Sequence, residues 1–215
     1  MILSILIPMY NNCANVANTL KRIGDQATKH GYMDHIQVIV VNDGSEEDAT
    51  QVVETCEDYG FEYYWQENSG EGRARNEALK HAKGEYFQYI DADDEITDDY
   101  LEVSMGEAEM GYDLVARAWK LADGRIGDRH EEPLVNWNVW SWMFKTEKFN
   151  QFKFDENRLF ATDYFWLKEA VEQPLDVYFG NSVINIYHTD NPNSLTNKWL
   201  RGELAEFKSD KSSAS

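Results

Sequence analysis

The sequence predicts an α/β fold in which a mostly parallel sheet is flanked by helices on both faces. Three observations predict it. Short apolar runs alternate with helical segments as far as about residue 113; the runs are mostly apolar, as in strands covered on both sides; and each run ends in a polar loop.

Ile2–Ile7 is the first such run, closed by Pro8. Val16, Leu20, Ile23 and Ala27 then recur at helical spacing up to Gly31. Ile36–Val41 is a second, β-branched run ending at Asn42-Asp43-Gly44-Ser45, and a helix carrying Ala49, Val52, Val53 and Cys56 follows it. Phe61–Trp65 gives a third strand, Gly72–Ala82 a helix with Ala74, Ala78 and Leu79 inward, and Tyr86–Ile90 the fourth strand, with a helix beginning near Asp98. This order implies parallel pairing with right-handed crossovers. Ligands of open parallel sheets bind outside the carboxyl ends of the strands, which is where Pro8–Asn11, Asp43–Ser45, Asn68–Gly70 and Asp91–Asp94 all fall.

Beyond Asp113 the alternation fails. Leu114–Trp119 reads as a strand leading into the turn dipeptide Asp123-Gly124, and residues 133–160 read as irregular and aromatic. Thr162–Glu172 reads as a helix, with Val177–Phe179 and Val183–Tyr187 as two short strands. Residues 1–200 are expected to form one domain and 201–215 a polar, flexible tail.

Composition narrows the class. The 215 residues are 42% hydrophobic, enough for one substantial core. No apolar run approaches the ~20 residues that cross a bilayer, so no stable membrane insertion is expected. Cys13 and Cys56 lack metal spacing and no Asn-x-Ser/Thr acceptor occurs, which fits a reducing, cytoplasmic setting. A formal net charge of −19 argues against broad attraction to nucleic acid or anionic lipid.

The most informative motif is Asp91-Ala92-Asp93-Asp94, which ends an apolar run in three carboxylates. Crowded carboxylates repel one another, and a divalent cation relieves that repulsion. Hard oxygen ligands suit Mn²⁺ or Mg²⁺, ions that commonly hold phosphates. The same residues also fit an acidic turn ahead of a helix.

The surrounding motifs favour the metal. Ser4-Ile5-Leu6-Ile7-Pro8-Met9-Tyr10-Asn11, Val41-Asn42-Asp43-Gly44-Ser45, Asn68-Ser69-Gly70 through Ala74-Arg75-Asn76, Gly84-Glu85-Tyr86 and Asp91-Ala92-Asp93-Asp94 occur in order. Together they resemble glycosyltransferase family 2, enzymes of the GT-A fold that use nucleotide-diphospho-sugars, over most of residues 3–188. The resemblance implies a UDP-sugar or related donor, transfer with inversion to a hydroxyl acceptor (a glycan, a lipid-linked glycan, a protein or a modified nucleobase), and an Asp-x-Asp metal motif at Asp91 and Asp93. It also implies a nucleotide site drawn from Pro8, Tyr10, Asn11, Asp43, Gly70, Arg75 and Asp91. Chemically, Asp43 would accept a base N–H, Tyr10 would stack on the base, and Arg75 would meet phosphate or acceptor. A cation bound by Asp93, with Asp91 and Asp94 assisting, would neutralise the leaving diphosphate. His188, at the end of the last strand, is a further candidate metal ligand.

The general base of the family is usually the Asp of a Glu-Asp pair, and Asp163 matches it. Thr162 stands where the Glu is common, so one carboxylate of the pair is missing. Of the aromatic cluster Trp137, Trp140 and Trp142, Trp140 is a candidate sugar contact, and Asp94 is another. A Rossmann dehydrogenase is excluded because no Gly-x-Gly-x-x-Gly follows the first strand. A basic, Gly-rich phosphate loop of the nucleotidyltransferase kind is also lacking there. The alternative from another class is an inert sugar-nucleotide binding module.

Overall fold

The computed structural model describes residues 1–126, 138–158, 161–188, 197, 198 and 201. The first half follows the expected alternation: β1 (Leu3–Met9), α1 (Cys13–His30), β2 (Ile36–Asp43), α2 (Thr50–Tyr59), β3 (Glu62–Gln66), α3 (Glu71–His81) and β4 (Tyr86–Tyr89). There follow β5 (Glu95–Ile96), α4 (Tyr100–Ala108), β6 (Leu114–Leu121), a single 3-10 turn (Val139–Ser141), β7 (Trp142–Lys145), α5 (Thr146–Phe149), α6 (Thr162–Ala170) and β8 (Val177–Tyr187).

Among the described residues the eight strands form one sheet, in the order β3-β2-β1-β4-β7-β6-β8-β5. The pairs β3–β2, β2–β1, β1–β4 and β6–β8 are parallel, whereas β7 runs antiparallel to both β4 and β6. The apolar runs have the expected cause. Leu3, Ile5, Ile7, Val38 and Val40 pack with Val16, Leu20, Ile23 and Leu101 of α1 and α4. On the other face Leu6, Ile39 and Val41 pack with Ala74, Ala78 and Leu79 of α3 and with Trp166 and Leu167 of α6. Each Val, Leu or Ile among them stabilises by about 1.5–3 kcal/mol when buried, and slipping β1 by one residue would exchange two complete faces.

The parallel register brings the strand ends level. Met9 pairs with Asn42 and Asp43 with Gln66, and Leu6 faces Tyr89 two residues before Asp91. Hence the loops after β1, β2, β3 and β4 share one rim.

The second half departs from expectation in four places. Trp142–Lys145 is a strand inside the segment read as irregular. It is only four residues long, and Trp142, Met143 and Phe144 are all buried, so no alternation marks it. The two short strands expected at 177–187 are one, because β8 continues through Gly180 with register shifts against β6. Glu95–Ile96 adds a two-residue strand against β8, and the helix expected from Asp98 begins at Tyr100. Trp137, the segment 189–194 and the polar tail beyond Arg201 lie outside the described residues.

A buried ion pair ties this half to the first. The Arg117 Nε donates to Glu107 Oε2 at 2.5 Å and its Nη1 to Gln88 Oε1 at 2.7 Å, while Ser182 Oγ donates to Glu107 Oε1 at 2.9 Å. Burying charge is costly, and these hydrogen bonds offset that cost only when α4, β4, β6 and β8 meet in this arrangement.

Candidate active site

The β1–α1 and β2–α2 loops are stitched together. Asn11 and Asn12 take successive left-handed conformations (φ 60° and 58°), which Asn tolerates better than most residues. Asn11 Oδ1 accepts the Glu46 and Glu47 N–H groups at 2.9 and 3.2 Å, and the Asn11 N–H reaches Ser45 Oγ at 2.8 Å. Tyr10 is left 44% exposed above this seam, with Pro8 buried in β1 below it.

Asp43 organises the next loop. Its Oδ1 accepts from Gln66 Nε2 (2.6 Å) and the Ser69 N–H (2.9 Å), and its Oδ2 from the Gly70 N–H (2.8 Å). A carboxylate has about four acceptor positions, so one remains on Oδ2 for a ligand N–H. Gly44 lets the loops close: its φ is +70°, and a Cβ there would lie 2.7 Å from the Asn68 nitrogen.

Arg75, on α3, is the hub of the site. It is 1% exposed, and its Nη2 lies 2.9 Å from both Glu71 Oε1 and Asp91 Oδ1. Its Nη1 donates to Asp163 Oδ1 and, at 3.1 Å, to Thr162 Oγ1. Tyr89 and Phe154 pack around the guanidinium, 5.9 and 5.4 Å from it. The dipole at the start of α3 does not favour a cation, but three carboxylates from three separate elements do. Arg75 is therefore turned inward to acids.

Asp163, in the first turn of α6, also accepts the Val139 N–H at 3.2 Å through Oδ2. Burial pushes its pKa up to about 7; Arg75 pulls it down, and Glu71 and Asp91 push it up again. Burial likewise raises Glu71, against the pull of Arg75. The segment before α6 is pinned to α3: Asn76 Nδ2 donates to the Phe154 carbonyl (2.9 Å) and Asn76 Oδ1 accepts the Phe154 N–H (2.8 Å). Gly72 permits this approach, since a Cβ there would meet the Asp155 carbonyl at 2.9 Å.

The acid turn sits beside this cluster. Asn15 Nδ2 holds it from α1, donating to the Ala92 and Asp94 carbonyls at 2.8 and 2.9 Å. Asp91 and Asp93 are half-buried, whereas Asp94 is 1% exposed. Asp94 Oδ1 accepts the His188 N–H at 3.4 Å, and its buried Oδ2 has no partner among the described residues. Burial and then the charges of Asp91 and Asp93 raise its pKa well above the usual range. The His188 ring pairs with Glu95 Oε1 at 3.0 Å. Among the described residues no three His, Cys, Asp or Glu side chains form a metal cage. The donor set fits a different kind of site, in which Mn²⁺ or Mg²⁺ takes one or two carboxylates here and its remaining ligands from phosphates and water.

Trp140 is buried, stacked on Tyr187 at 5.5 Å and edge-on to Trp119 at 5.8 Å, so it forms part of an aromatic wall. Trp142 is fully buried in the core.

The sequence profile of glycosyl transferase family 2 matches residues 4–175. This chain belongs to glycosyltransferase family 2. It is 35% identical to EpsH of Bacillus subtilis over 114 residues, which is 52% of this chain and 32% of that one. Among solved structures it resembles S. aureus TarS 1–349 in complex with UDP-GlcNAc (TM-score 0.72, 23% identity, 87% of this chain and 58% of that one). It also resembles the mannosyltransferase PcManGT of Pyrobaculum calidifontis in complex with GDP-Man and Mn²⁺ (TM-score 0.64, 18% identity, 86% and 56%). The fold is GT-A. The chain spans about a third of EpsH and under two thirds of the two structures.

Two residues of the Arg75 cluster were not placed in it by the sequence alone. Glu71 and the Thr162 hydroxyl join it through contacts across the fold, although Glu71 and Arg75 stand four residues apart on one helix, a spacing that pairs charges. Asn15 gave no sequence signal, since its contacts lie nearly eighty positions away. Among the described residues, no helix is long and apolar enough to cross a membrane.

Proposed function

We propose that this chain is a metal-dependent, inverting glycosyltransferase that moves a sugar from a nucleotide-diphosphate donor, UDP-linked by preference, to a hydroxyl acceptor. The observation that carries the reading is Asp163: a half-buried carboxylate with a pKa near 7, fixed by Arg75 and the Val139 N–H beside the acid turn. Such a group is matched to removing a proton from an alcohol at neutral pH. In this reading Tyr10, Asn11, Asp43 and Gly70, with Pro8 beneath them, would hold the base and ribose, and Asp91 would join that end to the acid turn. The donors and the Mn²⁺ bound by TarS and PcManGT support the donor class and the metal.

Asp93 would be the first metal ligand in this reading, with Asp91 second and His188 contributing from just after β8. A Mn²⁺ or Mg²⁺ ion there would supply Lewis-acid neutralisation of the leaving diphosphate. Asp163 orients the acceptor hydroxyl and takes its proton as the oxygen attacks the anomeric carbon. Arg75 keeps Asp163 aimed, and the Trp119, Trp140 and Tyr187 wall shields the sugar side, with Asp94 bracing the turn beneath. The free thiols Cys13 and Cys56 suit a cytoplasmic enzyme.

The test is transfer from UDP-GlcNAc and related donors with Mn²⁺, with the product anomer read by NMR and kcat/KM followed against pH. Inverted product is expected. The rate should fall as pH drops through about 7, because Asp163 works only when ionised. Retained configuration would remove Asp163 from the direct role.

A further inference from the structure

If Asp163 takes the acceptor proton, as proposed above, that proton has to leave before the next turnover. Thr162 Oγ1 lies 3.3 Å from Asp163 Oδ1, 3.1 Å from Glu71 Oε2 and 3.1 Å from Arg75 Nη1. A hydroxyl donates one proton and accepts two. Arg75, a permanent donor, takes one acceptor position. A protonated Asp163 takes the second, and Glu71 is then the one partner left to receive the Thr162 proton. Each hydrogen-bonding position of the hydroxyl is filled in that state. Thr162 is 1% exposed, while the Glu71 side chain is 34% exposed and that of Asp163 17%. The line from Asp163 through Thr162 to Glu71 therefore runs from the more enclosed carboxyl to the more open one.

We propose that Thr162 and Glu71 form the proton outlet of Asp163. The acceptor O–H bond breaks and Asp163 binds the proton. That proton passes from Asp163 Oδ1 to Thr162 Oγ1 as the Thr162 hydroxyl proton passes to Glu71 Oε2. Thr162 ends with one proton, as it began, Asp163 is ionised again, and Glu71 gives its proton to water. The charged groups facing this line are Arg75 from α3 and Asp91 and Asp93 from the acid turn, with the Val139 N–H directed at Asp163. Thr162 and Glu71 are positioning and relay residues; neither has to touch substrate. Thr162 departs from the Glu common at this position, and Glu71 supplies a carboxylate to the same cluster from the opposite helix.

Thr162→Val, Thr162→Ser, Glu71→Gln and the Thr162→Val/Glu71→Gln pair test the relay. Thr162→Val and Glu71→Gln should each lower kcat about tenfold, with UDP affinity within about twofold of wild type. The double variant should be no slower than either single one, because both break one line. Thr162→Ser should keep the wild-type rate, and imidazole buffer should restore kcat to Thr162→Val by carrying the proton instead. A wild-type rate in Thr162→Val, or additive losses with no response to buffer, would overturn the outlet. Asp163→Asn run alongside separates the two ideas: unchanged transfer in that variant would remove the base itself, whatever Thr162 does.

Discussion

Asp163→Asn is expected to lower kcat by about 10²–10⁴-fold, the range that general-base catalysis contributes, while UDP affinity stays within about twofold of wild type. The substitution removes the basic oxygen without changing the size of the side chain. The residues that would hold nucleotide lie on other loops: Asp43 anchors the 66–70 segment, and Asn15 holds the acid turn from α1. Turnover and binding should therefore separate. Steady-state transfer measured next to calorimetric UDP binding checks this, and a parallel loss of both would mean that Asp163 shapes the donor site instead of acting on the acceptor. An inert binding module would show no change in either.

Arg75→Met should cost the most stability, about 3–5 kcal/mol, because it leaves carboxylates from α3, the acid turn and α6 facing one another without their shared cation. Arg75→Lys should recover part of this: an ammonium keeps the charge but lacks the planar fork that reaches Glu71, Asp91, Thr162 and Asp163 together. The loss should be larger at pH 8 than at pH 5. At the lower pH, protons taken up by carboxyls already raised by burial, Glu71 and Asp163, replace the missing charge. Urea denaturation midpoints at the two pH values measure it. A wild-type midpoint for Arg75→Met at pH 8 would show that the cluster does not depend on its cation.

The first half of the fold was legible because its buried strands β1, β2 and β4 are mostly apolar and the helices between them keep a 3.6-residue period. β7 was not, since Trp142-Met143-Phe144 is too short to display a period and its neighbours on both sides come from other parts of the chain. β8 reads as two strands because Gly180, Asn181 and Ser182 interrupt its apolar pattern, although the backbone continues through them.

The candidate residues and their connections differed in how far the sequence displayed them. Three acids that end a buried strand stand out without knowledge of their neighbours, whereas Asp163 at the start of α6 was picked out only through the family resemblance. The connections between them do not stand out. Asp43 holds residues 69 and 70 by hydrogen bonds across the rim, and Arg75 unites residues up to 88 positions apart. Arg75 therefore read as a contact for phosphate or acceptor, whereas burial and three ion pairs turn it into the internal counterion of the site.

The donor site at the acid turn is tested most directly by calorimetric titration of UDP into wild type and Asp93→Ala, each with Mn²⁺ and with chelator. The proposed reading predicts binding to wild type that requires Mn²⁺ and is lost in Asp93→Ala. Equal binding with and without metal in both proteins, or no binding of UDP, GDP, CDP or TDP to wild type in any condition, would contradict it and leave the acidic cluster with a structural role alone.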